Sequence, residues 1–360
     1  MRSIVSEAKP GLLAGNALHF FCARLFGIFN LKRIPERFPN MPTSDWKSLP
    51  TGYFTHQLVN LPNMLEEAPE SPERIEAIEN RLMLGGFGDR LRRVECGPAP
   101  MEAVLLAHDA DYVEALEKAS LGDEAALGRF EEPDTQVGRD TFDCAMASAG
   151  AVVRAVDSVF ARTLKNAFCA VRPPGHHASR SRASGFCYLN NAAIGALWAA
   201  KRYKLERVMV LDFDAHHGDG TEEILAGHPN MRFLSVFQWP LFPHRRMDPQ
   251  PANAILSPLP AGAGGAELRG VVEDVWLAEI ERFRPELMIL SAGFDAHAEE
   301  RIAQLKAAEI DYACITRLLV EASWKYCEGR LVSVLEGGYE LRSLGRSVFT
   351  HLQGLVRTPL

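Results

Sequence analysis

The sequence of 360 residues lacks any long uninterrupted apolar run. Its most apolar stretch, residues 12–29, is broken by Asn16, His19 and Arg24 and does not close with a small-residue cleavage site. It is therefore too short and too polar in its middle for a membrane span. We predict an amphipathic helix that packs on the domain or on a neighbouring subunit, so a homo-oligomer, a targeting role and a membrane-surface role all stay open.

Cysteine pairs and an excess of basic charge are also lacking. The seven cysteines are odd in number, scattered without CxxC spacing and in several cases flanked by apolar residues. This pattern favours buried free thiols in a reducing compartment, and we predict the cytoplasm as the location of the protein.

The net charge of -7 argues against a general nucleic-acid binder, because affinity for phosphates depends on clustered lysine and arginine.

The overall composition, with 47% hydrophobic and 24% charged residues, is typical of an ordinary enzyme with a substantial core.

The first 50 residues differ from the rest, because the apolar stretch is followed by prolines at positions 35, 39, 42 and 50. Such spacing is typical of an extended linker. We predict an N-terminal extension over residues 1–50 and a single catalytic domain over residues 51–360.

Beyond residue 50, short apolar runs alternate with helical patterns. Strands are predicted at residues 52–56, 166–171, 208–211, 232–237, 287–291 and 331–335. Helices are predicted at residues 72–84, 109–120, 141–160, 190–203, 269–284 and 310–326. This alternation predicts an α/β fold with three αβα layers, in which helices cover both faces of a predominantly parallel central sheet.

One predicted strand runs directly into a cluster of acids and histidines at residues 207–221 (RVMVLDFDAHHGDGT). In open α/β sheets ligands bind beyond the carboxyl ends of the strands, which is where Asp212, Asp214, His216, His217 and Asp219 follow. Alternation along an extended segment would place Asp212, Asp214 and His216 on one side. Their convergence predicts a bound cation, because unpaired buried charges are costly.

Three further predicted strands also end in polar blocks. These blocks are RPPGHH at residues 172–177, SAGFDAH at residues 291–297 and EGGY at residues 336–339. Each block alone is open to interpretation as a turn or an exposed loop. Together they bring His, Asp and Tyr to one edge of the sheet, which predicts an active-site crevice.

Five blocks of this sequence resemble those of a known family. RPPGHHA, GFCYLNNAAIGA, LDFDAHHGDGT, SAGFDAH and LEGGY look like signatures of the zinc-dependent histone deacetylases, within the arginase-deacetylase superfamily. The similarity spans roughly residues 51–355 and is closest to the bacterial class II-like amidohydrolases. It implies the arginase-deacetylase fold and hydrolysis of an acyl-lysine or a small acylated amine.

The resemblance also implies a role for each matching residue. Zinc would be held by Asp214, His216 and Asp295. A structural potassium ion would be held by Asp212, the Ser235 hydroxyl and the backbone carbonyls of Asp214 and His216. The other implied site residues are His176 and His177, backed by Asp212 and Asp219, the carbonyl-binding Tyr339, and the channel residues Gly185, Phe186, Phe242 and Ile302.

The chemistry of these residue types fits the implied roles. Three protein ligands leave zinc an open position for water and the amide oxygen. A histidine that titrates near neutrality is suited to take a proton from water and return it to the leaving amine, while an aspartate fixes its tautomer. We assign this role to His177, with His176 as electrostatic support and Tyr339 as the donor to the oxyanion.

The substrate is less well specified than the chemistry. In polyamine-specific relatives an acidic gatekeeper lies at the channel mouth, and spacing from Asp295 places the neutral Ile302 there. Other residues bear on the charge of the rim, namely Glu66, Glu67 and Glu70 from the first loop and His244, Arg245 and Arg246 beyond Phe242. The neutral gatekeeper favours an acyl-lysine or a neutral acylamide, with an acetylpolyamine deacetylase as the alternative.

A different enzyme class, a purely binding role and a different metal also stay open. An arginase-like ureohydrolase would need a second-metal carboxylate two residues after His216, where this chain has Gly218. A non-catalytic acyl-lysine binding protein would not need both histidines, all three ligands and Tyr339. Iron or cobalt could take the place of zinc, because a site of two aspartates and one histidine is less selective than a thiolate site.

Overall fold

The computed structural model describes residues 46–61, 68–244 and 250–357. The apolar stretch at residues 12–29, most of the linker, Glu66, Glu67, Arg245 and Arg246 lie outside the described residues. All described residues belong to one compact unit of the chain, Met41–Leu360. Within them, no helix combines the length and apolarity that a bilayer crossing needs.

Eight strands form one sheet. They are β1 (Thr51–Thr55), β2 (Leu91–Glu95), β3 (Asn166–Cys169), β4 (Val208–Asp212), β5 (Met231–Gln238), β6 (Ala254–Leu259), β7 (Leu287–Ala292) and β8 (Leu331–Leu335). Their order is β2-β1-β3-β8-β7-β4-β5-β6, and every neighbouring pair is parallel. The predicted parallel α/β sheet is confirmed, and it is wholly rather than predominantly parallel.

Helices cover both faces of this sheet. One face is covered by Met101–Ala107, Ala110–Ser120, Thr141–Phe160 and Asn191–Tyr203, and the other by Glu73–Leu84, Gly265–Val271, Leu277–Phe283, Glu309–Tyr326 and Leu341–Val356. Two further helices, Glu124–Leu127 and Asp219–Leu225, complete the described α-helices. In β4, Val208 and Val210 join one core and Met209 and Leu211 join the other, which is why this strand is apolar at consecutive positions.

Several elements differ from the sequence-based expectations. The edge strands β2 and β6 were not predicted, because β2 (LRRVE) is mostly charged and exposed and β6 contains Pro258. The helix predicted at residues 269–284 begins at Gly265 and is interrupted by a π-helical turn, Val272–Trp276. Strand β3 ends at Cys169 rather than at residue 171, because its pairing with β1 and β8 stops at Cys169.

The order of the central strands decides where the polar blocks lie. β3, β8, β7 and β4 are successive neighbours in the sheet, and all four point the same way. Their carboxyl ends therefore lie side by side, and the blocks that follow them meet in one crevice.

Candidate active site

Three predicted metal ligands converge beyond the ends of β4 and β7. The side chains of Asp214, His216 and Asp295 are buried, and their ligand atoms all lie within 4.8 Å of one another. His216 Nδ1 lies 2.9 Å from Asp295 Oδ2 and 3.1 Å from Asp214 Oδ1. Strand β4 ends at Asp212, so the segment that carries Asp214 and His216 is a turn rather than the extended continuation assumed from the sequence.

Backbone amides fix the two carboxylates. Gly337 N–H donates to Asp214 Oδ2 at 2.8 Å, and His216 N–H donates to Asp214 Oδ1 at 2.8 Å. Ala215 N–H donates to Asp295 Oδ1, also at 2.8 Å. The turns after β4 and β8 therefore hold the acidic groups in place.

The charges of this cluster suit a cation. Burial, together with the neighbouring Asp214, raises the pKa of Asp295 to about 7. Burial also lowers the pKa of His216, but the carboxylates of Asp295 and Asp214 outweigh burial and raise it to about 10. A cation at this point would relieve the repulsion between the carboxylates, and one nitrogen with carboxylate oxygens is a donor set that zinc accepts.

The tandem histidines lie beside this cluster, each backed by its predicted aspartate. His176 Nδ1 lies 3.0 Å from Asp212 Oδ2, and His177 Nδ1 lies 2.8 Å from Asp219 Oδ1. Burial, together with the adjacent His176, lowers the pKa of His177 to about 4, although Asp219 acts to raise it. Burial also disfavours the charged form of His176, but Asp214 and Asp212 outweigh burial and raise the pKa of His176 well above its usual value.

Two aromatic side chains stand over these groups. The Phe242 ring lies 4.9 Å from the His177 ring, and the Phe186 ring lies 5.8 Å from the Tyr339 ring. Both phenylalanines are half-buried. Gly185 touches His177 so closely that a Cβ atom at this position would collide with the imidazole. The structure thus brings the predicted channel residues Gly185, Phe186 and Phe242 next to the predicted catalytic residues.

Tyr339 is supported by two residues that the sequence analysis missed. The Arg74 guanidinium lies 4.8 Å from the centre of the Tyr339 ring and donates to Gly338 O at 2.7 Å. Glu300 Oε2 accepts from the backbone N–H groups of Tyr339 at 2.8 Å and Glu340 at 3.2 Å. Arg74 looks like an ordinary helix residue in the sequence, and only its complete burial reveals its role.

Two acidic residues have structural partners that the sequence did not show. Glu336, which begins the EGGY block, accepts from Gly175 N–H at 2.7 Å and His176 N–H at 3.1 Å. Glu70 was considered as a possible charge at the channel mouth. It is instead buried and bound to Arg172 at 2.5 and 2.9 Å, so its charge is compensated inside the protein.

The remaining predicted residues lie around this centre. Ser235 is buried and pairs in register with Asp212. Ile302 is half-buried in the segment between Asp295 and the helix Glu309–Tyr326. That segment also carries Glu300, so Ile302 belongs to the same loop that supports the Tyr339 turn.

The geometry at Gly218 bears on a second metal. A Cβ atom at this position would collide with Asp212 Oδ2. A carboxylate side chain therefore does not fit here without displacing Asp212 from His176. Among the described residues, the only group of metal-ligating side chains found is Asp214, His216 and Asp295.

Comparisons with known proteins identify the family of this chain. A family model described as the histone deacetylase domain matches residues 68–355. A probable deacetylase of Archaeoglobus fulgidus is 36% identical over 298 residues, covering 80% of this chain and 81% of that protein. The histone deacetylase-like amidohydrolase of Pseudomonas aeruginosa is 32% identical over 304 residues, covering 81% of this chain and 79% of that protein.

Two further comparisons concern a eukaryotic relative and a solved structure. The polyamine deacetylase HDAC10 of Danio rerio is 33% identical over 307 residues, covering 81% of this chain but 44% of that protein. The crystal structure of the HDA15 HD domain superposes with a TM-score of 0.77 at 25% identity, covering 85% of this chain and 91% of that chain. The chain therefore belongs to the histone deacetylase family and is a deacetylase of that family.

Proposed function

We propose that the protein is a zinc-dependent deacetylase that hydrolyses the amide of an acyl-lysine or of a small neutral acylamide. The observation that supports this most is the buried cluster of Asp214, His216 and Asp295 next to the His176 and His177 pair. Zinc held by these three ligands would polarise the acyl carbonyl and lower the pKa of bound water. Iron or cobalt could replace zinc, because the donor set accepts either.

The two histidines would have different tasks. His177 is the more readily deprotonated of the pair and would act as the general base and then the general acid. Asp219, at 2.8 Å from His177 Nδ1, would fix the tautomer in which Nε2 accepts the proton. His176 carries the higher pKa beside Asp212 and would supply positive charge to the site.

A structural potassium ion is part of the proposal. Asp212 and Ser235 are buried neighbours on β4 and β5, and Asp212 also orients His176. An ion held there would link the metal-binding turn to the histidine pair. Measuring activity and melting temperature in potassium and in sodium buffers would test for it.

We expect Tyr339→Phe to lower kcat by about 10²-fold while the metal content and the melting temperature stay unchanged. The phenol would donate to charge that develops on the carbonyl oxygen only in the transition state. Single-turnover kinetics on the metal-loaded protein would measure the effect. Tyr326→Phe, in the helix Glu309–Tyr326, is the matched control, and an unchanged kcat in Tyr339→Phe would assign the oxyanion to another donor.

The preference for a neutral substrate is supported by the neutral side chain of Ile302 and by the compensated charge of Glu70. The alternative is an acetylpolyamine, which is favoured by the 33% identity to a protein named polyamine deacetylase. A carboxylate at the channel mouth would attract a polycation, and none is placed at position 302. The two substrate classes are therefore separable by experiment.

We expect the wild type to have a higher kcat/KM for an acetyl-lysine peptide than for N-acetylputrescine. Ile302→Glu should shift the ratio about five- to tenfold toward the polyamine, because the added charge is partly screened by solvent. Ile302→Gln, with similar size and no charge, should leave the ratio near that of the wild type. A wild-type preference of tenfold or more for the polyamine would support the polyamine as substrate.

We also propose the cytoplasm as the compartment. Six cysteines lie in the described part of the chain, and all six are free thiols, with Cys169, Cys187 and Cys327 fully buried. Free thiols of this kind are typical of reducing compartments.

A purified protein that holds metal but turns over no acylated amine would contradict the deacetylase proposal and favour the non-catalytic binding protein.

A further inference from the structure

Asp219 has two carboxylate oxygens with two different partners. Oδ1 lies 2.8 Å from His177 Nδ1, and Oδ2 lies 3.2 Å from Nη2 of Arg182. The aspartate is buried, whereas the arginine side chain is 48% exposed. One carboxylate therefore joins a buried histidine of the site to a cation at the protein surface.

Arg182 is held in place by more than this one contact. Its Nη1 lies 3.7 Å from Glu132 Oε1, and its carbonyl oxygen accepts from Ser179 N–H at 2.9 Å. Glu132 comes from the loop before the helix Thr141–Phe160, and Arg182 comes from the loop between His177 and Gly185. Two loops of the rim thus meet at the guanidinium.

The surroundings explain why a cation is needed here. A surface groove beside Phe242 is lined by Glu132, Arg182, Asp219 and Glu223. Without Arg182, the outer oxygen of Asp219 would face water and the carboxylates of this groove. The carboxylate could then turn about its side-chain torsions and exchange its bond to His177 for bonds to solvent.

We propose that Arg182 is a positioning residue for the reaction, because it holds Asp219 in the orientation in which Oδ1 accepts from His177. In this assignment the guanidinium acts only through Asp219. This inference rests on the proposed deacetylase function and on the role of His177 within it. It gives a residue of the rim an influence on His177 that is transmitted through Asp219.

The electrostatics of Asp219 are consistent with this assignment. Burial acts to raise the pKa of Asp219, but the hydrogen bond and the charge of His177, followed by the charges of Arg182 and His217, outweigh burial and keep the pKa below its usual range. The aspartate thus stays an anion and an acceptor. Because Arg182 is half exposed, its contribution is moderate and should weaken with salt.

The test is a double-mutant cycle on the metal-loaded protein, with kcat and KM measured for an acetyl-lysine peptide and for N-acetylputrescine. Arg182→Gln should lower kcat about fivefold and leave KM and metal content unchanged, because an exposed charged contact is worth about 1 kcal/mol. Arg182→Lys, which keeps the charge, should recover most of that loss. In an Asp219→Asn background, Arg182→Gln should change kcat less than twofold.

Arg180→Gln is the matched control, because Arg180 lies in the same loop and donates to Ile224 O rather than to Asp219. A fivefold loss that persists in the Asp219→Asn background, or an equal loss in Arg180→Gln, would overturn the inference. So would an effect of Arg182→Gln on KM alone. A wild type that turns over neither substrate would instead overturn the proposed function, so the two failures are distinguishable.

Discussion

Asp214→Ala is expected to remove bound metal and deacetylase activity together. Asp214 is one of the three proposed ligands, and the two that would remain cannot hold zinc against water. The same carboxylate accepts from Gly337 N–H and His216 N–H, so its loss also loosens the turns that carry Tyr339 and His216. Metal per chain, measured by elemental analysis, should fall from about one to near zero.

Two variants separate metal loss from unfolding. Asp214→Asn keeps the shape of the side chain but removes its charge, and it should lose metal while keeping a cooperative thermal transition. Asp274→Ala, at an exposed position on the π-helical turn, should keep both metal and activity. Full metal occupancy in Asp214→Ala would show that the ligand set is wrong.

His177→Ala is expected to lower kcat by about 10³-fold with the metal retained. In the proposed function the imidazole moves the proton between water and the leaving amine, and a methyl group has no such capacity. His176→Ala should cost less, because His176 supplies charge rather than accepting the proton. Single-turnover rates of both variants, each with its metal content, would establish the order.

A larger loss in His176→Ala than in His177→Ala would exchange the two roles. Asp219→Asn gives an independent check, because it changes the acceptor of His177 Nδ1 without removing the ring. We expect a loss smaller than that of His177→Ala in this variant. Activity unchanged in Asp219→Asn would show that the aspartate does not orient the base.

The residues proposed as metal ligands and the histidine pair are identifiable from the sequence, because each lies in a short block that follows a strand and resembles a signature of the family. Strand periodicity and the abrupt change from apolar to polar residues are local signals, and the four blocks are each contiguous in the chain. The parallel α/β fold followed from the alternation of strands and helices. Such inferences need no knowledge of long-range contacts.

The edge strands show where local signals fail. β2 has the pattern of an exposed charged segment, and it is a strand only because β1 offers a free edge with residues Thr51 to Thr55 in register with Leu91 to Glu95. The π-helical turn at Val272–Trp276 likewise has no marker in the helical periodicity around it. In both cases the surrounding structure, rather than the segment itself, decides the conformation.

The sequence blocks indicate which side chains we propose for the chemistry, whereas the supporting groups around them become visible only in the fold. Arg74 binds Gly338 across 264 positions of the chain, and Glu70 binds Arg172 across 102 positions. Arg182 looks like any surface arginine until the fold brings it against Asp219. The reason is physical: ligand and base types are set by local residue chemistry, but a supporting contact exists only after the strand order β3-β8-β7-β4 has brought distant loops together.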